Sequence, residues 1–321
     1  MKNKKIISIA KVVVDLEIKA LQRLKKNVNK SFVDAVKKIS KCQSKVILCG
    51  VGKSGLIASK IAATLSSVGT PSFCISAGDS SHGDLGSITK KDILVLISNS
   101  GQTSELKNII QYANRNKILL IGIVSQKDSI LYKASDIKLL IPQVLEAGGI
   151  VPTASTTSQL ALGDALAISV MKFKKFGKLD FKKFHPSGSL GAKLRTAEDL
   201  MLTGNKMPFI NEKTNMKKAL KLISNKKLGV LIVTNKKKLT TGIITDGQIR
   251  RSTQKNNTLE SKTVKDIMTP NPISVEKNTL AVKALSIMNE KKITCLFVHN
   301  KNKKKTIGIL HIHNILSANL R

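Results

Sequence analysis

The string AEDLM at residues 197–201 recurs as VKDIM at 264–268, KKALKLI at 217–223 recurs as VKALSIM at 282–288, and TGIIT at 241–245 recurs as IGILH at 307–311. The offsets between copies are 67, 65 and 66 residues. A period that constant means two copies of one β/α unit, which pack together to bury an apolar side that neither covers alone. The copies fill the C-terminal part of the 321-residue chain, so the front part is a separate domain, with a linker expected near residues 195–198.

The front part follows another rule. Short apolar runs at 45–49, 71–75, 92–97, 118–124 and 136–141 are rich in Val and Ile and lack two-residue polarity alternation, as strands covered on both faces should. Between and after them the spacing predicts helices over 54–68, 103–116, 129–134 and 156–176. Five strands with intervening helices make an α/β domain with a doubly wound five-stranded parallel sheet. Residues 5–40 place Leu16, Ala20, Leu24, Val28, Phe32, Val36 and Ile39 at helical spacing, which predicts one or two lysine-rich amphipathic helices packing on that domain.

Composition limits the function classes. The formal charge of +35 suggests a polyanionic partner, but 49 of the 55 basic residues are lysines spread over the whole chain, whereas phosphate and base-edge recognition recruits arginine forks. Aromatics are 3% and Trp is absent, which argues against rows of base-stacking rings. No specific nucleic acid is expected. The apolar run at the N-terminus is cut by Lys11 and followed by Asp15 and Glu17, so it reads as neither secretory nor membrane-spanning. Cys42, Cys49, Cys74 and Cys295 show no C-x-x-C spacing and read as reduced thiols, hence a cytoplasmic protein with no membrane partner.

Two strings invite an anion. GVGKSG at 50–55 lies between a strand and a helix and satisfies G-x-G-x-x-G. The second strand ends at Ile75 without the acid that holds a ribose, and Ile47 stands where a Walker A loop needs its first glycine. What survives is a glycine turn that admits a small anion to backbone N–H groups, or a tight turn with no ligand. ISNSGQTSE at 97–105 opens a strand into Ser98, Asn99, Ser100 and Gly101 and then into Thr103 and Ser104. One hydroxyl suffices to cap a helix; four suit a phosphomonoester. Further strings, SHGDLG at 81–86, Glu146, PTASTTSQLALGDAL at 152–166 and FHPSGSLG at 184–191, bring acids and imidazoles beside small residues.

Together these strings, with GTPSF at 69–73, TDGQIRR at 245–251 and IMTP at 267–270, resemble the sugar isomerase (SIS) family, specifically the arabinose-5-phosphate isomerases, which follow a SIS domain with two CBS modules. The resemblance runs from about residue 40 to the end and implies a SIS domain over 41–195 and CBS domains over 199–256 and 264–321, behind the N-terminal helical segment that periodicity places over 1–40. It implies reversible conversion of D-ribulose 5-phosphate to D-arabinose 5-phosphate through an enediolate, feeding Kdo for lipopolysaccharide. The matching catalytic residues are Lys53, Glu105, Glu146 and His185; either Glu suits the carbon base, best with a pKa raised by burial. Substrate contacts fall on Gly52, Ser54, Gly69, Thr70, His82, Ser98, Asn99, Ser100, Gly101 and Thr103.

No redox cofactor is required and no metal is expected, since Ser76 stands where some relatives carry a metal-contacting His. Gln102 replaces a usual Glu, and Ser187 and Ser189 replace small residues beside His185. SIS domains assemble as dimers and tetramers, so a homotetramer is expected, with His185 reaching a neighbour's pocket. CBS pairs often bind adenine nucleotides, and Thr245 with Asp246 resembles their ribose-binding pair, while the second copy has His311 and Ile312. The competing reading is a SIS/CBS regulator that senses a sugar phosphate or nucleotide without turnover.

Overall fold

The computed structural model describes residues 3–80, 82–184, 191, 193–254, 259–302 and 304–318. The chain divides into two compact units, Met1–Phe184 and His185–Arg321.

The front unit opens with helices α1 (Asn3–Asn27) and α2 (Lys30–Ser40). It continues through β1 (Val46–Gly50), α3 (Lys53–Ser67), β2 (Ser72–Cys74), the short α4 (Ala77–Ser80) and β3 (Ile93–Ile97). Then come α5 (Lys107–Arg115), β4 (Leu119–Val124), α6 (Ile130–Ala134), β5 (Ile137–Leu140), α7 (Ala154–Phe173) and α8 (Lys178–Phe184). All pairings are parallel, in the order β2-β1-β3-β4-β5. The five expected strands are all present. Every residue of β1 and β3 is buried, which is why their sequences alternate in face but not in polarity.

Alternate positions of β1 and β3 separate two cores. Leu48, Val95 and Ile97 face Ala58, Ile61 and Leu65 of α3, Leu162 and Val170 of α7, and Ile39 of α2. Ile47, Cys49, Leu94 and Leu96 face Ile109 and Ala113 of α5 and Leu131 of α6. Each such fully buried Ile or Leu contributes about 1.5–3 kcal/mol of transfer free energy. Helices therefore leave β1 and β3 on opposite faces, and the chain changes direction between these two neighbouring strands. That is the switch point, where an open parallel sheet leaves a crevice beyond its carboxyl edge.

α1 lies on this frame with only Ala20 and Leu24 buried. It packs on α7 and is tied down by Arg23 Nη1, which donates to the Gln143 carbonyl (3.5 Å), and Asn27 Nδ2, which donates to the Leu140 carbonyl (3.3 Å).

The C-terminal unit holds two sheets, β6 (Phe209–Asn211), β7 (Val230–Thr234), β8 (Thr240–Thr245) and β9 (Thr269–Pro270) in one, and β10 (Ser274–Glu276), β11 (Cys295–His299) and β12 (Thr306–His311) in the other. Residues 195–198 are not the linker expected there. Ala197 N–H donates to the Thr279 carbonyl (2.8 Å) and Ala281 N–H to the Arg195 carbonyl (2.8 Å), so the string that opens the first copy is bonded into the second. The converse holds: Val264 N–H donates to the Thr214 carbonyl (2.8 Å) and Met216 N–H to the Lys262 carbonyl (2.9 Å). Each string carries the same capping box, Thr196 with Asp199 and Thr263 with Asp266. Each copy thus lends its first residues to the core of the other. A third cluster, Val230 and Ile232 with Cys295, Phe297 and Ile309, joins the two sheets.

Candidate functional site

The site is built by the loops that leave the carboxyl ends of the front strands. Gly50 pairs with Ile97, so the turn after β1 and the loop after β3 stand side by side at the switch point. In the first, Gly52 is at φ +58°, ψ −126°, a conformation that only glycine adopts without strain, and a Cβ on Gly50 would lie 2.8 Å from the Ser54 carbonyl. Ser54 is half-buried; Lys53, the first residue of α3, is exposed.

In the second loop the hydroxyls serve two purposes. Ser98 is 2% exposed; its Oγ accepts from Gly101 N–H (3.0 Å) and shares a proton with Thr103 Oγ1 (2.7 Å). Gly101, at φ +66°, closes this turn, and its carbonyl accepts from Leu131 N–H (3.1 Å). The Asn99 carbonyl is held by Ser125, through N–H (3.0 Å) and Oγ (2.7 Å). These bonds shape the cradle, and Asn99, Ser100 and Gln102 form its exposed surface. The helix expected from residue 103 begins as a 3-10 turn, Ser104–Leu106, before α5.

The two acids differ. Glu105, in that turn, is exposed and accepts from Ser104 Oγ (2.7 Å), a bond that holds its carboxyl below the ordinary Glu range. Glu146 follows β5 and reaches the start of α7: its Oε2 accepts from Thr153 N–H (2.8 Å), Thr153 Oγ1 (3.2 Å) and Ser155 N–H (3.4 Å). Burial pushes the Glu146 carboxyl up, but the bonds from Ser155 and Thr153 together outweigh it and the net shift is downward. The raised carboxylate pKa expected of the carbon base is therefore found in neither acid, because each is held by hydroxyl or backbone donors that favour the charged form. Both are ionised at neutral pH, in the state a base requires.

His82, after β2, is exposed on the same edge, its N–H donating to the Asp79 carbonyl (2.8 Å), and α4 beside it packs on the Ser104–Leu106 turn. Ser76 Oγ accepts from Asp79 N–H (3.4 Å). His185, Ser187 and Ser189 lie outside the described residues. Gly69 and Thr70 are not brought to this edge. They precede β2 and lie at the amino ends of the strands, where Lys174 Nζ donates to the Gly69 carbonyl (2.6 Å) and to Thr70 Oγ1 (3.3 Å). Among the described residues, no group of three or more His, Cys, Asp or Glu is placed to hold a metal ion, and no helix is long and apolar enough to cross a membrane.

One residue near the site escaped the sequence reading. Gln159, in the second turn of α7, is fully buried, and among the described residues neither its Nε2 nor its Oε1 has a hydrogen-bond partner. The signal was available: Ser155, Gln159, Leu162, Leu166 and Val170 form one buried helical stripe, in which a glutamine is out of place.

In the C-terminal unit, Thr245 and Asp246 line a cavity of about 640 Å³ between the two copies. Thr245 caps the helix Asp246–Thr253 through Gln248, and Asp246 N–H donates to the Gly229 carbonyl (3.1 Å). The second copy contributes Lys292, Cys295, His311 and His313.

The comparisons agree with this division. The SIS domain model matches residues 38–169 and the CBS domain model matches 197–254 and 264–321. Arabinose 5-phosphate isomerase KdsD of Yersinia pestis is 40% identical over 311 residues, spanning 96% of this chain and 94% of its own length. The protein of that name from Escherichia coli K12 is 37% identical with the same coverage. A solved structure from E. coli CFT073, in complex with arabinose 5-phosphate, is 38% identical and superposes with a TM-score of 0.56 over 58% of this chain and 100% of that one. With such identity along nearly its whole length, the chain belongs to the arabinose 5-phosphate isomerase family, a SIS domain followed by two CBS domains.

Proposed function

We propose that this chain interconverts D-ribulose 5-phosphate and D-arabinose 5-phosphate at the switch-point crevice of its front sheet. The observation that carries the reading is the meeting, on one sheet edge, of a hydroxyl-lined loop and an ionised carboxylate, in a chain 40% identical to an enzyme named for that activity. The loop at 98–103 takes the phosphate, so the binding energy of the non-reacting end orients C1 and C2. Glu146 or Glu105 removes the proton from C1 of the ketose and returns it to C2, and a second proton passes from the C1 oxygen to the C2 oxygen, so both hydrogens move from the C1 end to the C2 end. His82 or His185 relays that oxygen proton, and Lys53 stabilises the developing oxyanion. Electrons shift only within the sugar, so the reaction needs no redox partner.

Gly69 and Thr70 have no part in this pocket as one chain forms it. The large apolar side chains of Ile6, Ile7, Val12 and Ile18 on α1, and Leu145 and Ile150 beside Glu146, are exposed, apolar surface that suits burial in a homotetramer. Four free thiols and a soluble substrate accord with the cytoplasm, where the product supplies Kdo synthesis. The cavity between the repeats takes an adenine nucleotide, with Thr245 and Asp246 on its ribose. Turnover of ribulose 5-phosphate in deuterium oxide tests the isomerase directly: deuterium is expected at C2 of the arabinose 5-phosphate formed, read by NMR. Folded protein that never places deuterium on carbon would overturn the enediolate route.

A further inference from the structure

We propose that the nucleotide in the cleft between the repeats seats its phosphate on the corner formed by Lys292, His311 and His313, so that binding draws a proton onto the imidazole pair and tightens as pH falls. This rests on the reading of the cleft as a nucleotide site.

The two corners of the cleft are equivalent by the repeat and differ in charge: the first holds a carboxylate beside a guanidinium, the second an ammonium and two imidazoles. The first is made by Gly229, Thr245, Asp246 and Arg251, with the Asp246 carboxylate lying over Gly229 and the Arg251 guanidinium folded towards Gly247. The Thr245 hydroxyl and the Asp246 carboxylate suit the neutral diol of a ribose, and the carboxylate offsets the charge that Arg251 brings to this corner. In the second corner, 66 residues on, His311 replaces Thr245 and Ile312 replaces Asp246. Cys295 pairs with His311 across β11 and β12, and Ile312 N–H donates to the Thr294 carbonyl (2.8 Å), which brings Lys292–Cys295 beside the imidazoles. Among the described residues, no carboxylate lines that corner. The anionic end of a ligand held by its ribose at Asp246 therefore belongs there.

The imidazoles supply the pH dependence. The rings of His311 and His313 stack at 5.0 Å with 27° between planes. His311 Nδ1 accepts from His313 N–H (3.3 Å), a bond that a proton on Nδ1 would break. Burial first, and then the neighbouring His313, push the His311 pKa down, so in the free chain His311 is neutral at neutral pH. Among the described residues, the charged groups around the pair are few. Lys292 stands at the end of the helix Ala281–Lys291, whose Glu290 is exposed and paired with Lys291 (2.7 Å). The Cys295 thiol is pushed by burial to about 11 and carries no charge, and Asp246 and Arg251 lie in the other corner. A phosphate dianion beside His311 favours its imidazolium, raises the His311 pKa in the complex, and makes affinity greatest below the free pKa and lower as pH rises through the bound one.

Calorimetry on the full chain tests this with ATP and with adenosine at about pH 6 and about pH 8. ATP is expected to bind about tenfold or more tightly at the lower pH and to take up roughly one proton, read from heats in two buffers of different ionisation enthalpy. Adenosine binding should not change with pH. The double variant His311→Gln, His313→Gln should keep only the dependence that the titrating phosphate of ATP itself brings. Equal pH dependence in wild type and variant, or no proton uptake by wild type, overturns the inference while leaving the nucleotide site standing. Binding of neither ligand at either pH removes both, and the isomerase reading is untouched. Should the variant fail to fold, proton uptake by the wild type decides alone.

Discussion

The two loops at the front switch point stand in unrelated places in the chain and offer related chemistry, whereas the two corners of the C-terminal cleft stand in equivalent places and offer different chemistry. In the front unit, topology fixes where a ligand goes: helices leave β1 and β3 on opposite faces, and whatever follows both strands faces one crevice. Local hydrogen bonding then shapes each loop. In the repeat pair, symmetry fixes the backbone, down to matching capping boxes and matching left-handed residues at Lys227 and Lys292. The orientation of a ligand there is left to substitutions such as Thr245 to His311. Position is thus settled by the fold in both units, and polarity by side chains that symmetry does not control.

The largest expected effect tests the front half of that comparison. Glu146→Gln preserves acceptance from Thr153 and Ser155 only in part and removes the base, so kcat should fall about 10²- to 10⁴-fold while sugar-phosphate binding persists. Steady-state kinetics and calorimetry separate the two. Turnover close to that of wild type would assign the carbon proton to Glu105, the exposed acid.

The two loops themselves can be told apart by their glycines. A side chain at Gly101 meets both a positive φ and Ser129, whose Oγ lies 2.2 Å from the ideal Cβ position. At Gly52 φ is also positive, but nothing lies within 4 Å. Gly101→Val should therefore cost about 3 kcal/mol of stability and Gly52→Ala about 1 kcal/mol, both measured by denaturant unfolding. Gly52→Ala should instead report on activity, since its site is open to substrate. Equal costs would mean that the β3 loop is not the rigid cradle its bonds describe.

The strands were readable because burial on both faces leaves continuous runs of Val, Ile and Leu, and the turn at 50–55 because glycine spacing records backbone geometry. The helix expected from residue 103 starts as a 3-10 turn, in which Leu106 N–H donates to the Thr103 carbonyl (3.2 Å), a tighter winding that periodicity does not register. Gly69 and Thr70 were grouped with the site by family pattern, yet they precede β2 and lie at the opposite edge of the sheet. The state of the two acids was also hidden, since a carboxylate's pKa depends on donors such as Thr153 that folding brings to it. The linker was misplaced for a related reason: offsets along the chain reveal that two copies exist, but not that they exchange their first residues.

That exchange gives the smallest effect and the sharpest discrimination. A Cβ on Gly308 would lie 2.2 Å from Met201 Sδ, and one on Gly242 would lie 2.6 Å from Met268 Sδ. Each methionine precedes its own copy and packs on the glycine of the other, so each glycine→Ala change should cost about 1–2 kcal/mol by similar overpacking. A double-mutant cycle then distinguishes exchange from independent folding of the copies. Met201→Ala should relieve Gly308→Ala with a coupling of about 1 kcal/mol and leave Gly242→Ala unrelieved, and Met268→Ala should do the reverse by a smaller amount, because the Thr269 carbonyl also lies 2.9 Å from the Cβ position on Gly242. Coupling of Met201 to Gly242 instead would assign each opening string to its own copy, and the cleft would then no longer be held by a pair that cannot separate without breaking both cores.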